Sequence, residues 1–174
     1  HVEFAKMAEN SGADALIVHG RTRSQLYSGK ADWKAIGEVK NSVKIPVIAN
    51  GDIDSPQKAK LCFEISNCDA VAVARGILGD PELIYRIEKF ISTGEILPPP
   101  NIQKCIEIAL LHYKKEAEFR GNIHGIKFMR KFFAWYVKGV RNASRYRYDL
   151  VRTTDLTEIE EIFKQISQEI QSES

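Results

Sequence analysis

The sequence predicts an α/β unit of three consecutive βα repeats followed by an all-α bundle, and three observations carry that reading. Short, nearly continuous apolar runs at 14–18, 45–49 and 69–73 alternate with amphipathic stretches of helical period. Thr93-Gly94 and then Pro98-Pro99-Pro100 break the alternation; consecutive prolines donate no amide hydrogen bonds and favour extended chain. Beyond them the apolar period is helical only. The boundary falls at 96/97, which gives an α/β unit over 1–96 and a helical unit over 97–174.

Taken in order, 1–10 already reads as helix interior, with Phe4, Ala5 and Ala8 on one side. Because the first residue is His1, the chain is expected to begin partway through a longer protein. Strands are expected at 14–18, 45–49 and 69–73, buried on both faces, with helices at about 33–41, 55–65 and 80–92. Asp54 or Ser55 before Pro56, and Asp80 before Pro81, have the form of a helix N-cap followed by proline at the first helical position. Intervening helices force the strands to run parallel. In the bundle, Ile102, Ile106, Leu110, Tyr113 and Ala117 form one apolar stripe, a second helix spans about 123–139, and a last helix starts near Thr157 with Glu160 closing a capping box.

Composition sets limits on function. The 174 residues are too few for a closed eight-stranded βα barrel of roughly 250. A hydrophobic content of 44% suffices for a buried core, yet no apolar run approaches the roughly 18 residues of a membrane span. Cys62, Cys68 and Cys105 form no CxxC pair, so reduced thiols in a cytoplasmic setting are expected, with neither metal nor membrane partner. Net charge is only +2, but 120–152 holds nine basic residues against one acid, and 153–174 holds six acids against one lysine. A local +8 points to a polyanionic partner.

Each strand ends in glycine beside a polar or cationic residue: His19-Gly20-Arg21, Asn50-Gly51-Asp52 and Ala74-Arg75-Gly76. Parallel α/β sheets place ligand sites at their carboxyl ends, so the three tripeptides are expected on one surface. Gly51 permits close backbone approach, Arg75 offers a charge-assisted contact, and both suit phosphate. The sequence lacks a Gly-x-Gly-x-x-Gly dinucleotide fingerprint. His19, at the end of a buried strand, suits contact with a cofactor ring; His112 and His124 read as packing or surface residues. Stepping 100° per residue from Lys127, Lys131, Lys138 and Arg145 fall within about 40°, and Arg130 and Arg141 within about 60° on the other side. The aromatics Phe128, Phe132, Phe133, Trp135 and Tyr136 are expected to pack in the core. A ridge nearly free of acids fits RNA phosphates better than a solvated face.

The blocks Val18-His19-Gly20-Arg21-Thr22-Arg23, 46–53 (Pro-Val-Ile-Ala-Asn-Gly-Asp-Ile), Ala74-Arg75-Gly76 and 124–131 (His-Gly-Ile-Lys-Phe-Met-Arg-Lys), the last followed by Trp135-Tyr136, resemble the bacterial tRNA-dihydrouridine synthases over nearly the whole chain. The resemblance implies the C-terminal part of an FMN-dependent TIM (β/α)₈ barrel followed by a helical tRNA-binding domain. It also implies a cytoplasmic, monomeric parent enzyme that reduces the 5,6 double bond of tRNA uridines with NADPH as reductant. His19, Asn50, Gly51, Asp52, Ala74 and Arg75 match the family's FMN segments. RNA contact is expected from Arg21 and Arg23 and from Lys127, Arg130, Lys131, Lys138, Arg141 and Arg145. Relatives often carry Gly where Ala74 stands. The family's N-terminal strands, its flavin-contacting Gln and Lys and its catalytic loop cysteine have no counterpart, so this chain alone is expected to be inactive. Two other readings stand beside this one: a non-catalytic RNA-binding module, and another FMN barrel enzyme acting on a small molecule.

Overall fold

A computed structural model describes residues 1–172, which form two compact units. One comprises 1–77 and 82–97, the other 78–81 and the described residues from 98 onward. The first contains α1 (Val2–Asn10), β1 (Leu16–His19), α2 (Trp33–Ser42), β2 (Val47–Asn50), α3 (Pro56–Ser66), β3 (Ala70–Ala72), a 3₁₀ turn at Arg75–Ile77 and α4 (Leu83–Thr93). The strands make one parallel sheet in the order β1-β2-β3. Pairing begins at Leu16 opposite Val47. Pro46 has no amide to donate and serves only as an acceptor, for the Leu16 amide.

Ile36, Val39, Val47, Ala49, Ala59, Cys62 and Leu83 are almost fully buried in this unit. Each large aliphatic side chain among them contributes about 1.5–3 kcal/mol of burial. The expectation that the strands are buried on both faces does not hold: Ile17 is 69% exposed, and β3 is only half buried. Of the residues expected on one side of α1, Ala5 is buried, whereas Phe4 is 68% exposed.

Ser55 caps α3, its hydroxyl accepting from the Lys58 amide, and Pro56 takes the first helical position. Asp54 instead pairs with the Lys58 ammonium at 2.6 Å. Asp80-Pro81 does not open α4: the helix begins only at Leu83, with Glu82 at its N-cap and no side-chain cap.

The second unit holds α5 (Ile102–Arg120), α6 (Asn122–Tyr136), α7 (Ala143–Leu150) and α8 (Leu156–Ser172). Ile106, Tyr113, Met129, Phe133, Tyr146, Leu150, Ile159, Phe163 and Ile166 form its core. The α8 cap is Asp155 rather than Thr157: its Oδ1 accepts from the Glu158 amide, while the Glu158 carboxylate accepts from the Thr154 amide and the Thr153 hydroxyl. The basic helix also ends earlier than its period suggests. Gly139 (φ +85°) and Asn142 (φ +55°) adopt left-handed conformations after Tyr136, and the chain restarts as α7. Lys138, Arg141 and Arg145 therefore lie beyond α6, off the Lys127–Lys131 ridge.

Candidate functional site

Parallel register places His19, Asn50 and Ala72 in one row across the sheet. Asn50 Nδ2 donates to the Ala72 carbonyl at 2.7 Å, which turns its Oδ1 toward His19 Nδ1 at 2.8 Å. With the amide oriented in this way, His19 Nδ1 is the donor to Asn50 Oδ1.

A loop over 20–32 folds back onto the end of β2. Arg21 donates to the Ser28 and Gly29 carbonyls and to Asp52 Oδ2, the last at 2.8 Å. Asp52 Oδ2 also accepts from the Ala31 amide, and Trp33 Nε1 donates to the Gly51 carbonyl. The hydrogen bond from Arg21 is the main reason the Asp52 carboxyl is held below the usual carboxylate range, with the Ala31 amide and nearby Arg75 adding to it. Gly51 has φ +126°, and a Cβ there would come within 2.8 Å of Ala31 and 3.3 Å of the His19 ring. Only glycine keeps this turn and its space open. Arg75 is more than half exposed at the rim, 4.0 Å from Asp52 Oδ1 and with its guanidinium 4.3 Å from the Tyr27 ring centre.

The sequence-predicted site residues thus come together around β1 and β2, with Ala74 and Arg75 following β3. Arg21 requires a correction. Its side chain is only 3% exposed, and its guanidinium braces the loop, so it is unavailable to RNA, whereas Arg23 remains exposed. Tyr27 and Trp33 were missed, because their partners Arg75 and Gly51 are distant in sequence.

In the bundle, Lys127 and Lys131 are exposed on α6, and Lys138 and Arg145 are exposed beyond it. Arg130 is not free for phosphate: Nε and a terminal nitrogen both donate to the Thr153 carbonyl, at 3.0 and 2.7 Å. Arg141 is engaged within the protein as well. Phe128 and Phe132 are only half buried and Trp135 is 43% exposed, so three of the expected core aromatics reach the surface. His112 packs as expected, with Nδ1 3.1 Å from the Tyr136 hydroxyl. Cys62 and Cys68 are buried, and contact with Cys68 together with burial pushes the Cys62 thiol up. Among the described residues no cluster of metal-ligating side chains occurs and no helix is long and apolar enough to cross a membrane.

Parallel α/β sheets commonly hold ligands at their strand carboxyl ends, where this chain carries His19, Asn50, Asp52 and Arg75. A family model described as Dihydrouridine synthase (Dus) matches residues 1–172, and the chain belongs to that family. A probable tRNA-dihydrouridine synthase of Rickettsia bellii (strain RML369-C) is 47% identical over 144 residues, 83% of this chain and 44% of that protein. The tRNA-dihydrouridine synthase B of Pseudomonas aeruginosa (strain PAO1) is 39% identical over 154 residues, covering 88% of this chain and 46% of that protein. The matched segment covers less than half the length of these relatives.

Proposed function

We propose that this chain works as part of a cytoplasmic tRNA-dihydrouridine synthase, supplying the phosphate end of an FMN site and a tRNA-binding bundle. The observation that carries the reading is the braced turn at Gly51-Asp52, with Arg75 at its rim and the oriented His19 beside it. A glycine turn that a Cβ would fill, next to an exposed guanidinium, fits a phosphate monoester. In this reading Gly51, Ala74 and Arg75 would hold the phosphate, and His19, oriented by Asn50, would contact the flavin ring. Asp52 contributes indirectly by fixing Arg21 and the Ala31 amide. The chemistry that FMN supplies when bound is the transfer of reducing equivalents from NADPH to the 5,6 double bond of uridine. Cys62 and Cys68 are core residues and Cys105 lies on α5, so the proton for the reduced ring is expected from a cysteine outside this chain. The strands of 1–96 belong, in the same reading, to a (β/α)₈ barrel.

Lys127, Lys131, Lys138, Arg145 and Arg23 are the cations available for tRNA phosphates. The test is FMN binding by the full-length protein, followed by flavin fluorescence. Arg75→Ala should weaken binding through loss of a charge-assisted bond of about 1.5–3 kcal/mol. Equal affinity in both proteins would remove Arg75 from the site. NADPH-dependent reduction of unmodified tRNA, read by mass spectrometry of its nucleosides, tests the activity.

A further inference from the structure

Where α5 meets α6, a Cβ on Gly125 would lie 2.9 Å from the Ala117 Cα, so the two helix backbones touch there. This close approach brings the end of α5 beside the first turns of α6. Arg120, the last residue of α5, leans back over its own preceding turn, as helical side chains do, where Glu116 accepts from its Nε. Its guanidinium then lies 4.1 Å from the Phe128 ring centre and 5.3 Å from that of Phe119. Lys131 sits over Phe128 and Phe132 at 4.4 and 4.9 Å, and those two rings are 5.3 Å apart. The result is a run of rings and cations along the α5–α6 corner, ending at Phe119, which is 80% exposed. No other large hydrophobic side chain among the described residues is so open to solvent.

Exposed aromatic surface of this kind is costly in water unless something covers it. The neighbouring charges indicate the occupant. Arg120 and Lys131 lie over the rings, Lys127 is exposed on the same helix one residue before Phe128, and Glu116 is occupied by Arg120. A cationic rim around a flat apolar face complements the two parts of an unpaired nucleotide, whose base stacks and whose phosphate is anionic. A base inside a duplex is stacked on both sides and offers no free face to Phe119.

We infer that Phe119, backed by Arg120 and Phe128, is a stacking platform for an unpaired RNA base beside the Lys127–Lys131 phosphate contacts. This rests on the proposed tRNA-binding role of the bundle. The platform gives the bundle a means of preferring loops over stems that charge alone does not provide.

The test uses the whole chain and two probes, a short single-stranded RNA and a fully paired duplex of the same sequence, each titrated across a range of salt. Phe119→Ala should weaken the single strand on the order of 5- to 100-fold without changing its salt slope, and leave the duplex unaffected. Phe119→Trp should retain single-strand affinity, because the larger ring stacks at least as well. Lys127→Ala should instead lower the slope magnitude on the single strand by about 0.7 and on the duplex by about 0.9. Equal effects of Phe119→Ala on both probes, no effect on either, or loss of affinity in Phe119→Trp would overturn the platform while leaving RNA binding intact. A change of oligomeric state in Phe119→Ala by sedimentation would make the patch a protein contact and likewise overturn it. Failure of the unaltered chain to bind either probe would overturn the RNA-binding reading itself and the platform with it.

Discussion

Arg21 and Arg23 lie two residues apart in a basic segment, yet their surroundings give them opposite roles. Arg21 is a brace, because a nearly buried guanidinium must find acceptors, and Asp52 with two loop carbonyls supplies them. Removing it leaves the Asp52 carboxylate, 24% exposed, without its principal partner. Breaking a fully buried pair costs about 3–5 kcal/mol; the partial exposure of Asp52 reduces this to about 2 kcal/mol for Arg21→Met. The pH dependence has a definite sign. The folded Asp52 carboxyl titrates below its unfolded value of about 3.9. Its stabilisation is therefore complete above that value and is lost as pH falls through the lower folded one. Urea unfolding between about pH 2 and 6 should show this acid-side loss in the unaltered protein and a flatter profile in Arg21→Met. Parallel profiles would mean that the brace does not set the Asp52 equilibrium. Arg23→Met should leave stability within about 0.5 kcal/mol, as exposed substitutions do.

At the scale of elements, α6 shows how one helix divides its charges. Lys127 and Lys131 face solvent, whereas Arg130 is tied to the Thr153 carbonyl just before the α8 cap. If the bundle binds tRNA as proposed, Lys127→Ala with Lys131→Ala should flatten the salt dependence of that binding by about 0.7–0.9 per contact while preserving the helix. Arg130→Ala should leave that slope unchanged and instead lower the melting temperature of the bundle, since Thr153 loses a charged donor worth about 1.5–3 kcal/mol. A slope change in Arg130→Ala would return it to the RNA face. Gly125→Ala should destabilise α5 against α6 by about 1–3 kcal/mol, because the added methyl meets the Ala117 backbone. These assignments also mark what could be read in the sequence. Three strands, their parallel order and the faces of α5 and α8 were legible because continuous apolar runs and helical stripes are local patterns. The strand-end residues were legible for the same reason. The break after Tyr136 was not, since 137–142 contain no proline and the apolar period carries across the turn at Gly139 and Asn142. Nor were the commitments of Arg21 and Arg130, whose partners are an aspartate 31 residues away and a backbone carbonyl 23 residues away.

Across the whole molecule, the excess of positive charge is confined to one unit, whereas exposed apolar side chains occur in both. The basic run lies in the helical unit, whereas the α/β unit has equal numbers of acids and bases over 1–93 and an uncovered sheet. Both β1 and β3 are edge strands. Leu16 and Gly20 donate their amides to β2, so the alternation of a parallel ladder turns the Ile17 and His19 amides to the open edge. Ile17 is 69% exposed, and on α1 Phe4 and Met7 are 68% and 56% exposed. An open edge flanked by bare apolar side chains favours strand addition or aggregation. The relatives are more than twice as long as the matched segment, which gives them chain enough to cover such an edge. In a full-length protein the Ile17 and His19 amides should therefore be protected from hydrogen exchange, whereas in the present chain they should exchange at rates close to those of an unstructured peptide. The Leu16 and Gly20 amides, already bonded to β2, should be protected in both. The same difference should appear in dye binding to exposed apolar surface, with Ile17→Lys lowering the signal of the present chain. If Ile17 and His19 exchanged equally fast in both proteins, β1 would be a natural edge, and the strand-end site would have to function on an open sheet.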